Sequence, residues 1–231
     1  MQQTSGHTLK AFDEDIDRLR ALISQMGGLA EHAIGEAMRC LIQRDTEGAL
    51  RVIENDRKLD ALEVETERRA VQLIALRAPM AGDLRDVVAA LKISGVVERI
   101  GDYGKNIAKR VPLIESANKI EPISLLPEMA RIATSMVHDV LDAFVQRDAD
   151  VALQVVERDA AVDDFYDSIF RALLTHMMEN PHNIGHATHL LFVAKNLERV
   201  CDHATNIAEM VYYAATGQHM TDRNRSDASA G

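Results

Sequence analysis

The stretch Glu98-Arg99-Ile100-Gly101-Asp102-Tyr103-Gly104-Lys105-Asn106-Ile107-Ala108 returns one hundred positions later as Glu198-Arg199-Val200-Cys201-Asp202-His203-Ala204-Thr205-Asn206-Ile207-Ala208. Charged and amide residues match in register as well as apolar ones, which marks a duplication and not two chance amphipathic helices. On a wheel of about 100° per residue, Glu98, Asp102 and Asn106 share a sector of about 80°. Val97, Ile100, Gly104, Ile107 and Ala108 lie opposite. An amphipathic helix with an acidic face, present twice, sets the plan of the chain.

Reading outward, Gln43-Arg44-Asp45 recurs at 146–148, and Ala49-Leu50, Glu54 and Asp56 recur as Ala152-Leu153, Glu157 and Asp159, an offset of 103. Three residues are therefore lost between this anchor and the next. In the first copy the periodicity predicts one helix from about Leu9 to Arg44, carrying the stripe Leu19, Leu22, Ile23, Met26, Leu29, Ala30, Ile34 and Leu41. Gly27-Gly28 is a place where that helix can bend. Asp45-Thr46 offers an N-cap for a second helix to Ala78, stopped by Pro79. A third runs from Ala81 towards Pro112, which should kink or end it. The second copy repeats this with helices at about Leu125 to Arg147, Asp150 to Glu179 and Asn183 to Ala215. Helices of thirty residues are rods of roughly 45 Å, and short connections make neighbours antiparallel. The expected fold is all-α: two tandem, similar three-helix bundles over 1–117 and 118–216, with a linker near Asn118 to Ser124 and a disordered tail at 217–231.

Composition agrees. Of 231 residues 47% are hydrophobic, with no Trp, 12 Gly and 5 Pro, an inventory for long helices. The formal charge of −10, from 36 acidic and 26 interspersed basic side chains, would repel a phosphate backbone, which argues against nucleic acid as a partner. Cys40 and Cys201 lie in different copies with no CxxC spacing, and no signal core stands at the N-terminus, so a reducing cytoplasm is expected. Charges break every apolar run, so no spanning helix is expected and membrane association must go through a partner.

The acidic face recurs on the second helix of each copy. Asp56 and Asp60 are four apart, continued by Glu63 and Glu67; Asp159 and Asp163 repeat the pair, continued by Asp167. With Glu98 and Asp102, or Glu198 and Asp202, each copy would hold four shared carboxylates between its second and third helices. Like charges at this spacing repel unless a cation lies between them, and oxygen donors suit Mg²⁺, Mn²⁺ or Fe. Asn106, Asn206 and Glu209 extend the face. Lys109 stands where Glu209 does and interrupts the first copy, so the second copy is expected to hold metal more tightly. The plain alternative is a pair of solvated helix faces, but a solvent face does not require the same residues at the same phase twice. Arg99 and Arg199 are expected to bridge to acids of a neighbouring helix. His182, His186 and His189 have a spacing able to take Zn²⁺, although the first copy lacks a counterpart, and His203 is expected to pack or support a ligand. No phosphate-binding loop follows a strand, no nucleophile sits in an elbow, and the Glu-x-x-His pairs of di-iron bundles are missing.

The chain resembles the PhoU family of bacterial phosphate-uptake regulators. The resemblance rests on Asn55-Asp56, Asp60 and Glu63; on Leu73-Ile74-Ala75-Leu76-Arg77-Ala78-Pro79-Met80-Ala81-Gly82-Asp83-Leu84-Arg85; and on the two Glu-Arg-x-x-Asp motifs, covering about Leu9 to Tyr213. The turn motif has no match in the second copy, where Asn180-Pro181-His182 stands. The resemblance implies acidic motifs that bind divalent metal ions in some members, a tendency to form homodimers, and action by binding. It also implies a role restraining the phosphate-starvation response and phosphate uptake, by linking the ATPase of the phosphate ABC transporter to a membrane sensor histidine kinase. The competing class is a metal-dependent hydrolase that uses the clustered carboxylates and bound water.

Overall fold

In the computed structural model, which describes residues 4–114 and 124–220 with side chains from residue 12 on, every regular element is helical. The first half comprises α1 (Thr4–Gln43), α2 (Thr46–Asn55), α3 (Arg57–Arg77), α4 (Ala81–Ala108) and the single turn α5 (Val111–Ile114). The second comprises α6 (Leu126–Gln146), α7 (Ala149–Glu157), α8 (Asp159–Glu179), a 3-10 turn (Pro181–Asn183) and α9 (Ile184–Thr216). Leu19, Ile23, Met26, Ala30, Ile34, Ala37 and Leu41 fall three or four apart along α1, and each is buried. They seat α1 on α4.

The predicted helices are present, with instructive differences. The second helix of each half is two helices. Asp56 interrupts the first, and Arg158 interrupts the second one residue before the equivalent Asp159. Asp45 caps α2 as expected, its carboxylate accepting from Gly48 N at 2.7 Å. In the second half the cap is Asp148, which accepts from the amides of Asp150 and Val151, so the helix begins before the expected Asp150. Gly27 does not interrupt α1; a Cβ there would meet Leu141 Cδ1 at 2.2 Å, so its bareness lets α6 close onto α1. Pro112 falls in the first turn of α5, where no amide donor is needed. The linker expected at 118–124 lies almost wholly outside the described residues, as does the tail beyond Met220; Gly217 is the left-handed C-cap of α9, with φ 76°.

The two halves are similar three-helix bundles, counting α2/α3 and α7/α8 as one bent helix each. They share one buried core. α1, α4, α9 and α6 pack in a ring, α1 on α4, α4 on α9, α9 on α6 and α6 on α1, while α2/α3 and α7/α8 lie outside it. At the centre Tyr103 stacks on His203, ring centroids 5.4 Å apart, with Tyr103 Oη 3.1 Å from His203 Nε2. These residues are repeat equivalents. A residue that touches its own equivalent lies on the axis exchanging the copies, so a pseudo-two-fold axis passes through this contact. The backbone repeats too: Asp45 N donates to Cys40 O and Asp148 N to Ala143 O, both at 2.9 Å, and Arg44 and Arg147 are left-handed at φ 58° and 57°.

Candidate functional site

Each half presents its acidic motif where its outer helix crosses its ring helix. In the first, Gly101 on α4 has no side chain to obstruct α3: a Cβ there would meet Leu59 Cδ2 at 2.1 Å. Leu59 seats on α4, and Asp56, at the break between α2 and α3, is carried against it with its side chain only 7% exposed. The fixed charge there is a lysine. Lys105 Nζ donates to Asp56 Oδ2 at 2.5 Å and to Asp102 Oδ1 at 3.0 Å, and these two carboxylates push its pKa up. One turn towards the start of α4, Glu98 has no such partner. Burial, then the charges of Asp102, Glu63, Asp60 and Asp56, raise its carboxyl to about 7. Glu63 is likewise pushed up by burial and by Glu67 and Asp60, against the pull of Arg99.

In the second cleft, between α8 and α9, the compensation is reversed. Lys195 Nζ lies 2.6 and 2.5 Å from the two oxygens of Glu198, and 5.2 Å from the centre of the Tyr166 ring. Asp159 has a buried Oδ1 without a hydrogen-bond partner, and burial with the charges of Asp163, Asp202 and Glu198 raises its pKa. Asp202 is raised by burial and by Asp163, although Lys195 pulls the other way. Cys201 sits beneath these acids, and burial first pushes its thiol up to about 12.

The structure thus brings together Asp56, Asp60, Glu63, Glu98 and Asp102 in one cleft, and Asp159, Asp163, Glu198 and Asp202 in the other. Among the described residues, no three His, Cys, Asp or Glu side chains already converge on a single metal position. The flanking candidates stay outside: Asn206 and Glu209 are exposed, and Asn106 accepts from Lys109 at 3.5 Å. Lys109 lies against Asn106 at the edge of the first motif, while Lys105 pairs within the first cleft and Lys195 within the second, so each cleft carries a bonded lysine. Arg99 and Arg199 make no ion pair among the described residues, contrary to expectation; both are exposed and, behind burial, hold the pKa of His203 down. Burial first, and then the charge of Arg110, hold the pKa of His189 down; Arg110, which stacks over Phe192 at 4.7 Å, is a neighbour that repels a metal ion.

The comparisons with known proteins agree over nine-tenths or more of the chain. The family model for the PhoU domain matches twice, at residues 23–111 and 126–211. The phosphate-specific transport system accessory protein PhoU homolog of Zymomonas mobilis is 54% identical over 220 residues, covering 95% of this chain and 93% of its own. Its counterpart in Caulobacter vibrioides is 45% identical over 218 residues, covering 94% and 95%. The crystal structure of PhoU from Pseudomonas aeruginosa superposes with a TM-score of 0.85 at 34% identity, over 90% of this chain and all of that one. That of the phosphate transport system regulatory protein PhoU from Streptococcus pneumoniae gives 0.84 at 27% identity, over 90% and 99%.

Proposed function

Since the chain belongs to the PhoU family, we propose that it is a negative regulator of the phosphate-starvation response and of phosphate uptake, an adaptor between the phosphate ABC transporter ATPase and a sensor histidine kinase. The observation that carries this reading is the family match in both repeats, together with relatives named as accessory proteins of phosphate-specific transport that align over nearly their full length. No helix among the described residues is long and apolar enough to cross a membrane. In the adaptor reading the protein works from the cytoplasmic side, as a homodimer, and reaches the membrane through those partners.

The acidic clefts would hold divalent cations. The donors fit: they are oxygen-only, Asp159 keeps an orphaned buried oxygen, and in each cleft an ammonium group already stands in for a cation. The ligands would be drawn from Asp56, Asp60, Glu98 and Asp102 in one cleft and from Asp159, Asp163, Glu198 and Asp202 in the other, those already held by a lysine being the least available, and a bound ion of Mg²⁺, Mn²⁺, Fe or Zn²⁺ type would supply the positive charge that their crowding lacks. Function is by binding, not turnover. A strain lacking the gene should express phosphate-starvation genes in abundant phosphate, and tagged protein should retain the transporter ATPase and the kinase from detergent-treated membranes. Normal repression in that strain would sink the adaptor reading; Mn²⁺-dependent phosphoester cleavage by the purified protein would favour the hydrolase.

A further inference from the structure

The duplicated motifs share four carboxylates, Asp56, Asp60, Glu98 and Asp102 matching Asp159, Asp163, Glu198 and Asp202, but differ in their lysines. Lys105 has Thr205 as its repeat equivalent, and Lys195 has Gly95. The swap extends to the facing helix, where Tyr166, beside Lys195, replaces Glu63. Along α4 and α9 the Glu and the Asp of the motif are four residues apart, about 6 Å of helix rise. In the first repeat the ammonium occupies the Asp end, on Asp56 and Asp102, and leaves Glu98, Glu63 and Asp60 without a bonded cation. In the second it occupies the Glu end, on Glu198, and leaves Asp159, Asp163 and Asp202. Resting on the reading that the clefts bind divalent cations, we infer that Lys105 and Lys195 are built-in counter-cations filling opposite halves of the motif, so that a metal ion is taken at the Glu98 end of the first repeat and at the Asp159–Asp202 end of the second.

The physical reason is competition for the same oxygens. An ion entering the filled half must displace a close ammonium and break a short, partly buried ion pair, whereas in the open half it relieves repulsion between carboxylates that no bonded cation compensates and that Arg99, Lys195 and Arg199 offset only from a distance. The lysines would therefore also weaken metal binding at each cleft, by withholding ligands and by adding positive charge.

The test is Mn²⁺ titration of the full chain, by calorimetry and by the electron paramagnetic resonance signal of free Mn²⁺, with circular dichroism establishing that each variant is folded. Glu98→Gln should weaken the first site, and Asp202→Asn the second, by about tenfold or more, while Asp102→Asn and Glu198→Gln change affinity by no more than about threefold. Lys105→Met and Lys195→Met should each tighten their own site by about tenfold, with Lys→Gln variants standing in where the methionine ones do not fold. Equal losses from Glu98→Gln and Glu198→Gln, or lysine variants that leave affinity unchanged, would overturn the inference while the cation reading stands. Mn²⁺ bound by the lysine variants but not by the wild type supports the inference; absence of binding in every variant removes both.

Discussion

Glu98 makes the pH behaviour of this protein predictable. Its carboxyl titrates at about 7 in the fold against an ordinary value of 4.5, burial being the first cause and Asp102 the second. Between these values the folded chain holds a proton that the unfolded chain has released. Folded stability must then fall as pH rises from about 4.5 to about 7, and Glu98→Gln should remove that component. The urea midpoint of the variant is expected to drop less between pH 5 and pH 8 than that of wild type, the remaining slope combining Glu31, Glu63, Asp86, Asp159 and Asp202, all likewise raised, with the opposite contribution of His189 and His203, which are lowered. A steeper slope in the variant would contradict the assignment. The thiols of Cys40 and Cys201 are buried and raised by that burial, so both should resist aromatic disulfide reagents at pH 8 and react once denatured. Rapid labelling of the native protein would show that the cleft above Cys201 opens. The rows of acids at these sites were legible in the sequence because their spacing repeats. The lysines were not: Lys105 three after Asp102 and Lys195 three before Glu198 read as ordinary solvated pairs, and only the crossing of α3 on α4 and α8 on α9 shows what they face.

At the scale of elements, two glycines of α4 separate two kinds of close packing. A Cβ at Gly101 would strike the tip of Leu59, which can rotate away, whereas a Cβ at Gly104 would lie 3.0 Å from backbone atoms of Ala33 and Ile34, which cannot move without shifting α1. Alanine also favours the helix by about 1 kcal/mol over glycine. Gly101→Ala should therefore be close to neutral, and Gly104→Ala should destabilise by about 1–3 kcal/mol, measured as denaturant midpoints at constant slope. Equal effects would mean that α1 and α4 yield more readily than their backbone contact implies. The helices themselves could be read from period and punctuation, since Asp45, Pro79 and Pro181 act where they stand. The breaks at Asp56 and Arg158 could not, because each is one residue of near-helical backbone without Gly or Pro, at φ −53° and −78°. Tertiary contacts hold them. Lys105 draws Asp56 onto α4, and Asp139 on α6 takes Arg158 at 2.5 Å.

The whole molecule is a ring of four helices whose core runs through both repeats, so neither repeat closes its own core. The seam is polar as well as apolar: Asp86 on α4, 7% exposed, receives Arg20 from α1 at 3.3 Å and Arg147, the C-cap of α6, at 3.4 Å. Asp86→Ala would leave two arginines facing each other over a buried gap, an expected loss of about 2–3 kcal/mol. Arg147→Ala leaves Arg20 in place and removes a half-exposed partner, so its expected cost is about 1 kcal/mol, or about 2–4 °C in Tm for a chain of this size. If the repeats were independent, either change would lower one of two transitions. Because α4 lies against α9 and α1 against α6 along their lengths, both should instead shift a single transition, with calorimetric and van't Hoff enthalpies equal. By the same reasoning residues 1–117 alone would expose the faces of α1 and α4 that cover α6 and α9, and should associate or remain unfolded; a stable monomeric half, or a two-step melt of the full chain, would show that the repeats fold apart and only then dock.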